Sequence, residues 1–171
     1  MIEMRQFSKL HPIVAIQSTV APNPFLRMDG TGITEPSGVG GGAVNCQNSV
    51  GPFEKFRLVP QEGESYALES VEFKNVFLRI DGADVTEFEA AGAGAVNCQF
   101  GAGAFERFKL SPEGQDSVAI GSVQFPNVFL RMDGHSAVVF NPAGSGIVNC
   151  QFGAGPFEKF RLVPVALVPD V

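Results

Sequence analysis

Asn149-Cys150-Gln151-Phe152-Gly153-Ala154-Gly155-Pro156-Phe157-Glu158-Lys159-Phe160-Arg161-Leu162 is the stretch whose reading decides the fold. It stands almost unchanged at 97–110 and with a variant middle at 45–58, so each copy begins 52 residues after the last. A fixed internal period of this size means one supersecondary unit written three times, and it outranks any local pattern. The units run Pro12–Glu62, Glu64–Gly114 and Asp116–Val165, with a lead-in before them, expected to pair in part at the sheet edge, and a short tail after. A chain of 171 residues is expected to bury a single core, so residues 1–171 read as one domain.

Each unit carries four short apolar runs. In the first unit they are Val14–Ser18, Phe25–Met28, Ala43–Gln47 and Glu54–Val59. Alternation assigns Ile16, Leu26, Met28, Val44, Cys46, Phe56 and Leu58 to an inner face, and Arg27, Asp29, Asn45 and Gln47 to the outer one. Gly, Pro and Asn interrupt every window before a helix of ten residues accumulates. The expected fold is therefore all-β, with twelve strands in three 52-residue repeats related by a pseudo-threefold axis. That pattern points to a β-trefoil, a six-stranded barrel closed by three hairpins. Three copies are too few for a propeller, and a solenoid calls for atypical capping repeats.

Composition narrows the function classes. The net charge is −6 and the basic residues are scattered, which disfavours binding to nucleic acid, where neutralised phosphates supply most of the affinity. An anionic membrane surface is disfavoured for the same reason, and no apolar run is long enough to insert as a spanning helix. The three cysteines, Cys46, Cys98 and Cys150, occupy one equivalent position, so they cannot all pair within the chain and read as small core residues. Free thiols and the lack of a signal-like start suggest the cytoplasm, with non-classical secretion left open.

Two family resemblances attach to these motifs. Gly51-Pro52-Phe53-Glu54-Lys55-Phe56 resembles the signature of the fascin and hisactophilin group, actin-associated β-trefoils. Ser122-Val123-Gln124-Phe125-Pro126-Asn127-Val128-Phe129-Leu130-Arg131 is similar to the arabinose-binding β-trefoil module, with a weaker copy at 70–79. Both imply the same fold. The first implies a cytoskeletal partner and the second a sugar. The sugar module's histidine after Leu-Arg is replaced here by Met28, Ile80 and Met132, and hisactophilin's abundant histidines reduce to His11 and His135. With no Trp, the Gln-x-Trp signature of ricin-type lectins is absent.

The preferred expectation is a non-catalytic, lectin-like protein with up to three equivalent sugar sites, its partners glycans or glycoconjugates. A fascin-like actin binder is the alternative, and a homo-oligomer is left open. Candidate ligand residues are Asn45, Gln47, Asp81, Asn97, Gln99, Phe100, Asp133, Asn149, Gln151 and Phe152. Amides and carboxylates suit neighbouring hydroxyl groups, and a ring covers the apolar face of a sugar; Phe73 and Phe125 are further ring candidates. The same Asp and Asn residues equally suit turns. Glu54, Glu106 and Glu158 are expected to tie down the turn before them. No cofactor is implied, and catalytic readings lack a Cys–His pair, a zinc-type cluster or a phosphate loop leading into a helix. The second and third units share Gln-Phe-Gly-Ala-Gly while the first has Gln47-Asn48-Ser49-Val50-Gly51, so sites two and three are expected to be alike and site one altered.

Overall fold

The computed structural model describes residues 11–166. Twelve strands form where the alternation places them. The first unit holds β1 (Ile13–Ser18), β2 (Phe25–Asp29), β3 (Ala43–Gln47) and β4 (Phe56–Gln61). The second holds β5 (Ser65–Ser70), β6 (Val76–Asp81), β7 (Ala95–Phe100) and β8 (Phe108–Pro112). The third holds β9 (Val118–Ser122), β10 (Val128–Asp133), β11 (Ile147–Phe152) and β12 (Lys159–Ala166). Any pairing of residues 1–10 lies outside the described residues.

Antiparallel pairing closes a ring. β1 pairs with β4, β4 with β5, β5 with β8, β8 with β9, β9 with β12, and β12 returns to β1. Closure leaves this six-stranded barrel without an edge. The remaining strands form three hairpins, β2–β3, β6–β7 and β10–β11, each joined to the barrel through the first strand of its unit. The second and third hairpins have six facing pairs, and the first has five. The missing rung falls where Pro24 and Asn48 stand in place of Val76 with Phe100 and Val128 with Phe152. Proline has no N–H to give to a ladder.

The inner face is as the alternation predicts. Leu26, Leu78 and Leu130, the Met28, Ile80 and Met132 set, Ile16, Leu68 and Ile120, and the three cysteines are wholly buried. Phe56, Phe108 and Phe160 are the largest of these side chains and equally buried. Burial of each such side chain contributes about 1.5–3 kcal/mol, so the threefold-repeated layers are the main source of stability. The fourth strands start later than the sequence suggests. Pro52–Glu54, Ala104–Glu106 and Pro156–Glu158 form single 3-10 turns, and each strand begins after the glutamate.

Each hairpin is hooked onto the next unit. Gly41 in the first hairpin loop exchanges both backbone hydrogen bonds with Cys98 of β7, at 2.9 and 2.7 Å. Ala93 does the same with Cys150 of β11, and Ser145 with Cys46 of β3. The three hooks form a closed cycle, one unit onto the next and the last onto the first.

Candidate functional site

The outer residues of the hairpins are not bare. Arg27, Arg79 and Arg131 keep only 3–5% of their surface, because the neighbouring unit's loop lies over them. Arg79 Nη1 donates to Asn97 Oδ1 at 3.3 Å and its Nη2 to the Gly38 carbonyl at 3.4 Å. Arg27 makes the corresponding bonds to Asn45 and Pro142, and Arg131 to Asn149 and Ala90. The same asparagines donate through Nδ2 to the carbonyls of Ala143, Val39 and Ala91 at 2.9–3.0 Å.

The glutamines extend this latch. Gln47 Oε1 accepts from the Asn141 N–H at 3.2 Å while its Nε2 donates to the Asn141 carbonyl at 2.6 Å. Gln99 holds Ser37 and Gln151 holds Glu89 in the same two-bond pattern. Each Oε1 also accepts the next backbone N–H, from Asn48, Phe100 or Phe152. Asn45, Gln47, Asn97, Gln99, Asn149 and Gln151, expected to face a ligand, are thus drawn into contacts between units. Their amides are committed to the protein's own loops, and Gln47 and Gln151 are 3% and 2% exposed. Phe100 and Phe152 are half-buried against the core instead of forming open platforms.

The aspartates divide their two oxygens. In Asp81 and Asp133, Oδ1 accepts the N–H two residues on, from Ala83 at 3.1 Å and His135 at 3.2 Å. Oδ2 lies 3.7 and 3.9 Å from the guanidinium of Arg79 and Arg131, and the side chains are 37% and 33% exposed. The turn role and an outward acceptor coexist in one carboxylate. Asp29 adds the Thr31 hydroxyl at 2.6 Å, which with the Thr31 N–H holds its carboxyl below the usual range.

Each guanidinium also lies over a ring. Arg27 sits 5.1 Å from the centroid of Phe53, Arg79 5.0 Å from Phe105 and Arg131 5.1 Å from Phe157. These are phenylalanines of the Pro/Ala-Phe-Glu turns, positioned by the glutamate that follows. Glu54, Glu106 and Glu158 accept the N–H of Gly51, Gly103 and Gly155 at 2.7 Å, the turn-holding role expected for them.

At two of the three unit junctions a second ring covers the first. Phe73 packs on Phe53 at 5.1 Å between centroids, and Phe125 on Phe105 at 4.9 Å. At the third, between the last unit and the first, the place one period before Phe73 is Ala21. A cleft of about 70 Å³ opens there, lined by Ser18, Val20, Ala21, Met132, Asp133, Gly134, His135 and Phe157. The turn differs as well as the side chain. The Ser18 hydroxyl oxygen accepts the Val20 N–H, whereas those of Ser70 and Ser122 accept the N–H of Phe73 and Phe125. Of the sequence-stated candidates only Asp133 lies in this cleft. Phe157, His135 and Ala21 are not marked by the polar repeat, although the Ala/Phe/Phe difference at 21, 73 and 125 is visible when the copies are aligned.

No protein-family model and no curated protein sequence matches the chain. Solved structures do. It is similar to the designed threefold-symmetric protein ThreeFoil at 14% identity and a TM-score of 0.67, covering 90% of this chain and 99% of that one. The Rhizoctonia solani agglutinin matches at 15% identity and a TM-score of 0.64, over 91% and 96% of the two chains. The BEL β-trefoil matches at 15% and 0.57, over 90% and 93%. The chain is a β-trefoil. At these identities the likeness establishes the trefoil architecture, and the chemistry of the site has to come from its own residues.

In this trefoil the cleft combines an aromatic ring, a partly exposed carboxylate and an imidazole at one unit junction. The three thiols are withdrawn from this surface. Burial pushes the thiols of Cys46, Cys98 and Cys150 up to about 12, so they stay protonated and poorly nucleophilic at neutral pH. Among the described residues no group of three or more His, Cys, Asp or Glu side chains is placed to hold a metal ion.

Proposed function

We propose that the chain is a non-catalytic, lectin-like carbohydrate-binding protein. The observation that carries this reading is the pairing of Phe157 with the Asp133 carboxylate in one open cleft. A sugar ring has an apolar C–H face and an edge of adjacent hydroxyl groups. Phe157 suits the face and Asp133 Oδ2 accepts from the edge. Arg131 touches both side chains and so fixes their relative positions before a ligand arrives, which lowers the ordering cost of binding. The structural likeness to a protein named as an agglutinin supports the same class.

The fascin-type alternative loses its specific support. Within Gly51-Pro52-Phe53-Glu54-Lys55-Phe56, Glu54 caps the turn, Phe53 seats Arg27 and Phe56 fills the barrel, so the motif's constancy follows from folding. A glycan array followed by calorimetric titration tests the proposal. Binding of at least one neutral saccharide at millimolar or lower concentration is expected; silence across mono- and oligosaccharides at that concentration rejects it.

A further inference from the structure

We infer that this β-trefoil has one working ligand cleft per chain, at the junction of its last and first units, and two latent ones plugged by Phe73 and Phe125. The inference rests on the carbohydrate-binding reading and specifies its valence, its location and the residues that set both. It departs from the threefold expectation because the symmetry is broken where the site is made.

All three junctions have the same frame. An arginine lies over the phenylalanine of a 3-10 turn and beside an aspartate whose Oδ1 is held by the following turn. What differs is the residue across the junction. Phe73 and Phe125 place rings 5.1 and 4.9 Å from Phe53 and Phe105, at interplanar angles of 53° and 62°. Such tilted pairs are favourable contacts that a sugar has to displace. Ala21 is the corresponding residue at the third junction, and Val20 and Ala21 line open space in front of Phe157. The neighbouring glycines confirm the correspondence. A Cβ at Gly30 would meet Val76 and Phe73, at Gly82 it would meet Val128, and at Gly134 it would meet Pro24, which stands one period before Val76.

The size of the cleft bounds what it can hold. About 70 Å³ is well below the several hundred Å³ of pockets that engulf drug-sized molecules. It has room for the face and one edge of a single ring, which fits one monosaccharide unit, such as the neutral end of a glycan, better than an extended chain. A chain with one such site gains avidity only if several copies are brought together.

Two-dimensional amide and methyl NMR with a panel of neutral monosaccharides tests the inference. Shifts confined to Ser18–Ala21, Asp133–His135 and Phe157, with one ligand per chain, are expected. Asp133→Asn keeps the size of the side chain and should weaken binding at least tenfold. Ala21→Phe, and the turn graft Val20→Glu with Ala21→Phe and Pro22→Lys copied from the second unit, should abolish it. Conversely, Phe125→Ala should raise the stoichiometry from one to two. Equal shifts at all three junctions, or binding unaffected by both Ala21→Phe and Asp133→Asn, overturn the single-cleft inference while leaving the carbohydrate reading standing. No shift anywhere with any sugar rejects that reading and the inference with it. Amide spectra of the free variants separate lost binding from lost folding.

Discussion

Gln151 and Glu89 lie 62 residues apart and are joined by a closed pair of hydrogen bonds. The Glu89 N–H donates to Gln151 Oε1 at 3.0 Å, and Gln151 Nε2 donates back to the Glu89 carbonyl. Gln99 with Ser37 repeats the relationship at the same separation, and Gln47 with Asn141 repeats it across the chain's closure. Each glutamine thereby replaces a rung of sheet between units that are not otherwise paired at that level. The trefoil's three hairpins are locked to one another by side chains that copy backbone geometry.

Cutting one latch should destabilise the fold without altering the barrel. Gln151→Ala removes the partners of Glu89 and of the Phe152 N–H from a site that is 2% exposed. A cost of about 1–3 kcal/mol is expected, since lost partners outweigh the modest net value of each bond. Gln99→Ala, at a half-buried position where water replaces the lost groups, should cost less. Urea denaturation of the two variants gives the comparison; equal and negligible losses would show that the latches are incidental.

How far the sequence reveals this arrangement depends on what alternation measures. Leu26, Met28, Cys46 and Phe56 are inward as alternation assigns them, because the inner faces of the hairpins and of the barrel meet in one apolar core. Arg27 and Gln47 were assigned outward, and they do point away from the barrel. Alternation cannot distinguish solvent from a loop donated by another unit, and these residues are covered by the loop around Asn141 and Pro142. Repetition is ambiguous for a related reason. A polar residue kept in all three copies reads as three ligand sites, yet a latch repeated around a cycle leaves the same trace. The cleft is instead marked by a departure from the repeat, Ala21 against Phe73 and Phe125, and its turn geometry had no local signal.

Two glycines separate close approach from backbone strain alone. Gly146 has φ +77°, and a Cβ there would lie 2.8 Å from the Asp133 carbonyl oxygen and 2.9 Å from Cys46 Sγ. Gly153 has φ +86° with nothing within 4 Å of the same atom. Gly153→Ala should cost about 1–2 kcal/mol, the strain of a left-handed L-residue. Gly146→Ala adds overlap with the hook between the third and first units and should cost clearly more. Melting temperatures of the pair decide the matter, and an equal drop would remove the packing argument.

The thiols offer a probe of native integrity. All three are wholly buried and pushed up to about 12 by desolvation, so neither access nor ionisation favours reaction. Native protein at pH 8 should react negligibly with a disulfide reagent over minutes, and three thiols should appear on unfolding in denaturant. Fast labelling of one thiol without denaturant would show a hairpin hook that opens locally.

The capping glutamates should give stability an unusual pH dependence. Burial raises the carboxyls of Glu54, Glu106 and Glu158 above 4.5, against the lowering effect of the bond from the preceding glycine and of the nearby arginine. A carboxyl raised in the folded state keeps its proton there at pH values where the unfolded chain has lost it. Between those two pKa values the folded state binds more protons, so stability falls as pH rises through the window and is recovered on acidification towards 4.5. Asp29, lowered by Thr31, acts in the opposite sense at lower pH, where its protonation removes stability. Glu106→Gln keeps an oxygen for the Gly103 N–H while removing the titration. Stability measured from pH 7 down to pH 4.5 should therefore rise less in Glu106→Gln than in the parent. A steeper rise in the variant would mean that the Arg79 charge, 3.9 Å from the Glu106 carboxylate, outweighs its burial.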